Sequence, residues 1–195
     1  LDLSELRAAY KAGGQSAQIK AITQSSPEYP GRSNARFSDG SFPAPYTVPV
    51  KDGFIPSDLE QDILKLMFVK KTPGEAKNWK VFGEFVKGFG LKKGAIAMSN
   101  NMGGIGILAL GVLEEDILAA VREVDKHPGA IAVAADGRVQ QVFELPVAGM
   151  SSDLDGQTAA KQLNEMTEKL LGWGCAIRQE LYLRFWCLGS AISKN

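Results

Sequence analysis

This chain of 195 residues has only one histidine and two cysteines. Hydrolytic zinc, iron and manganese centres draw on several histidine and carboxylate ligands. His127 alone cannot supply them. It stands beside Pro128 at the end of a periodic segment, where a partly charged ring suits the last carbonyls of a helix. Cys175 and Cys187 are too few and too dispersed for a disulfide framework or a zinc site, and reduced, partly buried thiols are expected. A catalytic serine or cysteine would need that same His127 as its base. Cys175, within Gly172-Trp-Gly-Cys175, has no basic neighbour in sequence and reads as a packed thiol.

Charge of one sign is missing too. Lys+Arg and Asp+Glu stand at 22 each. The basic footprint of a nucleic-acid or anionic-membrane binder is therefore absent from the whole chain. No apolar run is long enough to span a bilayer, since the longest, Ile105 to Leu113, stops at Glu114. The start has no secretory pattern, and a cytoplasmic location is expected. The chain begins at Leu1 rather than Met, which suggests a fragment or a processed product. What is present is ordinary for a globular protein: 45% hydrophobic and 23% charged residues, enough to bury a core without disulfides or metal.

Local patterns predict a mixture of strands and helices. Leu3, Leu6, Ala9 and Tyr10 make a short helical stripe that Asp2 or Ser4 would cap. Gln18 to Thr23 reads as a strand. Ser25 to Pro49 carries five prolines, and regular structure is not expected there. Its Arg32 and Arg36 read as solvated side chains on a covering loop. Asp52-Gly53 is a turn. Ser57-Asp-Leu-Glu60 offers a capped helix start, but Asp62 to Lys70 fits a helix or a buried strand equally well. A polar loop with Pro73-Gly74 is followed by a short strand at Val81 to Val86.

Glu114 to Val124 is a clear amphipathic helix, with acids in its first turn and Pro128-Gly129 beyond its end. Ala130 to Leu145 is a hairpin about Asp136-Gly137. Thr158 to Leu171 is a second amphipathic helix, preceded by candidate caps Ser151, Ser152 and Asp153. Leu181 to Ile192 alternates in part and reads as a final strand. The tetrapeptide Gly-Ala-Ile-Ala occurs at Gly94 and again at Gly129, each time as a buried strand. The expected fold is α/β or α+β, a mixed sheet with helices packed on it and the two Gly-Ala-Ile-Ala strands at related positions.

Gly104-Ile-Gly106 loosely fits a dinucleotide fingerprint. Its glycines would have to open a helix, whereas apolar Ile107 to Leu110 follow them. There is no phosphate-binding Gly-x-x-x-x-Gly-Lys-Ser/Thr. If a ligand binds, the loops Ser99 to Gly106 and Pro146 to Asp153 are the places to look. Both follow strands and are expected to offer free backbone amides to a small anionic or heteroaromatic molecule. The candidate binding residues are Ser99, Asn100, Asn101, Gly103, Gly104, Gly149, Ser151 and Ser152. No catalytic residue and no metal ligand is assigned.

Four strings carry a family resemblance: Asp58-Leu-Glu-Gln-Asp-Ile-Leu-Lys65, Gly83-Glu-Phe-Val-Lys-Gly-Phe-Gly-Leu-Lys-Lys-Gly-Ala-Ile-Ala97, Gly129-Ala-Ile-Ala-Val-Ala-Ala-Asp-Gly137 and Leu145-Pro-Val-Ala-Gly-Met-Ser-Ser-Asp153. In this order and spacing the chain from Asp52 to Leu188 resembles the C-terminal domain of bacterial and archaeal adenine deaminases. The resemblance implies a domain over residues 51–195, preceded by an extension over 1–50 with the proline-rich loop. It implies an amidohydrolase whose separate Mn- or Fe-bearing barrel deaminates adenine to hypoxanthine and ammonia. No cofactor would then sit in this chain. A small molecule or purine, a homo-oligomer or an upstream barrel are the implied partners.

The sequence also departs from that family. Its His-Asp-x-His-Asn motif would fall on Met102, Gly103, Gly104, Ile105 and Gly106. Its Arg-His-Gly is replaced within Lys70-Lys-Thr-Pro-Gly74. Two readings follow: the C-terminal part of an adenine-deaminase-like enzyme, or a non-catalytic relative used for ligand binding or oligomerisation.

Overall fold

A computed structural model describes residues 1–23, 44–71, 79–100, 106–178, 181–182, 185–186 and 188. Arg32, Arg36, Pro73-Gly74, Cys187 and most of the proline-rich segment lie outside the described residues. So do candidate site residues Asn101, Gly103 and Gly104.

The described elements are α1 (Leu3–Ala8), β1 (Ser16–Thr23), β2 (Ala44–Pro49), β3 (Ile63–Lys71), β4 (Trp79–Lys87), β5 (Ala95–Met98), β6 (Ile107–Gly111), α2 (Glu114–Val124), β7 (Ala130–Ala135), β8 (Arg138–Glu144) and α3 (Gly156–Gly172). The eight strands form one sheet in the order β2-β1-β4-β3-β6-β5-β7-β8. Every pairing is antiparallel except β1 with β4. The fold is thus α+β with a mixed sheet. The two Gly-Ala-Ile-Ala segments feed β5 and β7, which are neighbours and pair antiparallel. Residues within 1–50 contribute β1 and β2 to this same sheet and α1 to the core on one of its faces.

Helices cover both faces. Leu64, Leu66 and Phe68 of β3 point into a core shared with Met166 and Leu170 of α3 and with Leu181, Phe185 and Leu188. Ile63, Met67 and Val69 point the other way, toward Leu6 and Tyr10 and toward Ile117, Val121 and Val124 of α2. Residues 63 to 69 are all buried. A strand buried on both faces loses the alternation that marks a half-exposed one, so periodicity could not separate strand from helix here.

Three expectations need correction. Ser57 to Gln61 does not start a helix. The Asp58 carboxylate accepts from the Glu60 and Gln61 amides and closes a turn ahead of β3. Pro45 and Pro49 belong to a strand, which tolerates them because β2 is an edge of the sheet and need not donate on its open side. The expected last strand is helical at Leu181, Tyr182, Phe185, Trp186 and Leu188. Its buried residues, Leu181, Phe185 and Leu188, follow helical spacing, and that pattern prevails over the partial alternation of Leu183, Phe185 and Cys187.

The other elements follow local chemistry. Asp2 accepts from the Glu5 amide, and Glu5 reaches back to the Asp2 amide, a reciprocal cap for α1. The cap of α3 is Asp155, not Ser151, Ser152 or Asp153, with its carboxylate on the Gln157 and Thr158 amides. Asp136 and Gly137 both take positive φ, at 56° and 70°, as a tight hairpin between right-twisted strands requires.

One face of the sheet contains a buried charge. Lys65 of β3 is 2% exposed and pairs with Glu114 in the first turn of α2. Its ammonium also lies 5.1 Å from the Tyr10 ring centroid, and the Tyr10 hydroxyl donates to the Leu66 carbonyl at 2.7 Å. Beside it Asp116, also 2% exposed, accepts from the Gly137 amide at 2.7 Å and ties α2 to the hairpin turn. Burial pushes the Asp116 carboxyl above its ordinary 3.8, against the pull of the Gly137 and Gly94 amides.

Three stability predictions follow from these contacts. Glu114→Ala strands an ammonium in the core and is expected to cost about 3 kcal/mol in urea unfolding. The double change Lys65→Met/Glu114→Leu is expected to recover most of that. Asp116 has a folded pKa above its unfolded one. Its contribution is therefore greatest below about pH 4 and is lost as pH rises through the folded value. Measured against Asp116→Asn, the parent is expected to lose relative stability as pH rises from about 4 to 7. Finally, a Cβ on Gly129 would stand 2.3 Å from the Gly149 Cα. Gly129→Ala is expected to cost about 2 kcal/mol or more, because neither backbone can move aside cheaply.

Candidate functional site

The Gly129–Gly149 contact brings together the two loops singled out from sequence. β5 and β7 run antiparallel, with Met98 opposite Ile131, so the end of β5 meets the start of β7. Ser99 seals the junction. Its amide donates to the Ala130 carbonyl at 3.0 Å, and its hydroxyl oxygen accepts from the Ala130 amide at 3.0 Å. From the other side comes the turn after β8. Val147 and Ser151 bridge one another, and Gly149 takes φ 71° with its α-carbon open to the Gly129 backbone. The Asn100 amide group donates to the Met150 carbonyl at 3.1 Å, and its oxygen accepts from the Trp186 indole at 3.1 Å. Asn100 is thereby held from both ends.

These loops enclose one side of a cavity of about 520 Å³. Ser99, Asn100, Gly106, Ala148, Gly149 and Met150 line it. Ser151 and Ser152 do not: Ser151 is exposed, and the Ser152 hydroxyl accepts from the Leu154 amide at 3.3 Å. Several amides expected to be free are already paired. Ser99 donates to Ala130, while Met150 and Ser151 both donate to the Val147 carbonyl. At these three positions the amides are not open to an anion.

The opposite wall was not assigned from sequence. Val69, Trp79 and Ile107 supply an apolar surface, and Val124, Asp125, His127 and Pro128 bring in the C-terminal end of α2. The His127 ring faces carboxylates rather than helix carbonyls. Nε2 lies 3.4 Å from Glu123 and Nδ1 3.8 Å from Glu144. The Lys126 ammonium, then His127, hold the Glu123 carboxyl below its usual range. Reading His127 purely as a helix end missed this, because its neighbours come from β8 as well as α2. The one available signal was Pro128-Gly129, which forces the chain to turn directly from α2 into β7.

Nucleophilic and metal chemistry find no support in the described geometry. Cys175 is buried, and burial raises its thiol, the reverse of an activated nucleophile. Among the described residues no group of three or more His, Cys, Asp or Glu side chains could hold a metal ion. The residues present thus do not fit the metal centre that the family resemblance implies for its barrel. A second cleft, of about 440 Å³, opens over the Lys65–Glu114 pair beside Arg7, Lys51 and Ser57. Its two buried charges satisfy each other. Among the described residues no helix is long and apolar enough to cross a membrane.

Comparison with known proteins supplies the ancestry. The family model of the adenine deaminase C-terminal domain matches residues 43–190. An adenine deaminase of Dehalococcoides mccartyi is 33% identical over 130 residues, covering 67% of this chain and 22% of that protein. Adenine deaminase 1 of Carboxydothermus hydrogenoformans is 36% identical over 122 residues, covering 62% of this chain and 20% of its own length. For the adenine deaminase of Parabacteroides distasonis the identity is 37% over 129 residues, with 64% and 22% covered. The chain thus spans about a fifth of the length of these relatives. With a match that takes in β2 to β8, α2 and α3, the chain belongs to the adenine deaminase C-terminal domain family.

Proposed function

We propose that this chain serves as the non-catalytic C-terminal domain of an adenine-deaminase-type amidohydrolase. In this reading a separate barrel carries Mn or Fe and converts adenine to hypoxanthine and ammonia. That barrel would be a cytoplasmic partner, joined to this domain upstream or assembled with it as an oligomer. The carrying observation is the family match over residues 43–190 in a chain whose described residues gather no metal ligands. The positions of the family's polar motif, Met102 to Gly106, are occupied by apolar residues and glycine. None of them can transfer a proton or ligate a metal through its side chain, save for the weak thioether of Met102. We therefore assign no hydrolytic step to this chain.

The experiment has two arms. The purified chain, incubated with adenine and Mn²⁺ or Fe²⁺, is expected to release no ammonia above the protein-free control. Sustained turnover would refute the non-catalytic assignment. The reading frame that encodes the chain, followed upstream, is expected to contain the His-x-His motif of a metal-bearing barrel. A frame with no such motif, and no barrel that co-purifies with the chain, removes the deaminase association.

A further inference from the structure

The cleft beside the start of α2 has a charged floor whose hydrogen bonding is incomplete. Lys65 and Glu114, 2% and 8% exposed, meet there. The pair is neutral as a whole, but the ammonium engages only Oε1 of the carboxylate. Oε2 has no partner among the described residues. The one buried side-chain atom left unpaired among them is Oε1 of Gln141, so Oε2 of Glu114 reaches the cleft. At the rim Lys51 and Asp52 set one charge of each sign, and neither side chain has a partner among the described residues. Arg7 is engaged by Glu115 at 3.0 Å. The rest of the wall includes Phe54, Pro56 and Leu113. Leu113 is the N-cap of α2, a position that favours a short polar side chain. It makes no side-chain cap and is 53% exposed. Leucine there gives the helix nothing and gives the cleft an apolar contact.

An anion in this cleft meets Lys65 together with the carboxylate already bound to it, and a cation meets Glu114 together with its ammonium. A ligand of one charge therefore gains little from the floor. A ligand with an ammonium and a carboxylate on one carbon can use Glu114 and a cation at once. We propose that the cleft binds a free α-amino acid with an apolar side chain. Its ammonium donates to Oε2 of Glu114. Its carboxylate accepts from Lys51, whose flexible stem can carry the charge over the opening. Its side chain lies against Phe54, Pro56 and Leu113. The volume of about 440 Å³ falls in the range of small-molecule sites. This inference does not rest on the deaminase association and holds whether or not a barrel accompanies the domain.

Backbone amide signals of the ¹⁵N-labelled chain would be followed during titration with L-leucine, isocaproate and isoamylamine. The three share a branched apolar body; isocaproate lacks the ammonium of leucine, and isoamylamine lacks its carboxylate. L-Leucine is expected to shift the Leu113 and Glu114 signals saturably and to leave Ser99 and Gly149, at the other cavity, in place. Each analogue is expected to bind about tenfold more weakly, the loss of one charge-assisted hydrogen bond. Lys51→Met, at an exposed position, is expected to weaken leucine binding by a similar factor of about ten and to leave isoamylamine unaffected. The double change Lys65→Met/Glu114→Leu, which replaces the floor pair by apolar side chains, is expected to abolish leucine binding in a chain that still folds. The proposal is overturned by no saturable shift at Leu113 and Glu114 with leucine, by either analogue binding as tightly as leucine, or by an affinity for leucine that survives Lys51→Met or the double change.

Discussion

The fold depends on β3 being covered on both sides. A central strand with seven consecutive buried residues, 63 to 69, cannot face water anywhere along its length. α1 and α2 must close one face, and α3 with the helical residues at 181–188 must close the other. Hydrophobic burial does most of this without direction. The exception is Lys65, whose charge fixes the position of α2 over the strand through Glu114. A greasy interface could slide by a residue or two. A buried ion pair allows only the register in which its two members meet. The end of α2, and with it one wall of the cavity, is placed by that requirement.

Legibility in the sequence followed how local each determinant was. α2 could be read residue for residue, because acids at 114–116, apolar spacing and Pro128 all act within one segment. The hairpin at Asp136-Gly137 was equally plain. β3 was ambiguous for the reason that makes it central, since burial on both faces erases periodicity. The expected strand from Leu181 to Ile192 was misread because Leu183, Phe185 and Cys187 alternate, while among the described residues Leu181, Phe185 and Leu188, at helical spacing, are buried. Pro45 and Pro49 argued against a strand only while the edge position of β2 was unknown.

The cavity was half legible. Ser99, Asn100 and Gly149 were reachable because they follow apolar runs and sit in glycine-containing loops. Trp79, Asp125 and His127 were not. Their approach depends on β5 pairing with β7 and on β4 lying beside β3, contacts between residues far apart in sequence. Backbone amides are donors only until something nearby accepts them: Ala130 takes the Ser99 amide, and Val147 takes those of Met150 and Ser151. Family likeness and site chemistry thus point in separate directions: ancestry is written in the sheet, whereas the character of the cavity comes from the end of a helix.

The hydrogen bond from the Trp186 indole to Asn100 joins the last described helical residues to the rim of the cavity. Those residues pack on one face of the sheet, while Val124 and Val69 of the cavity belong to the other. The site is therefore finished by residues that pack from the opposite face of the sheet. Asn100 gains its second anchor only when Trp186 is seated, so order at the rim of the pocket reports the docking of the helical residues around Trp186 as well as the closure of the sheet.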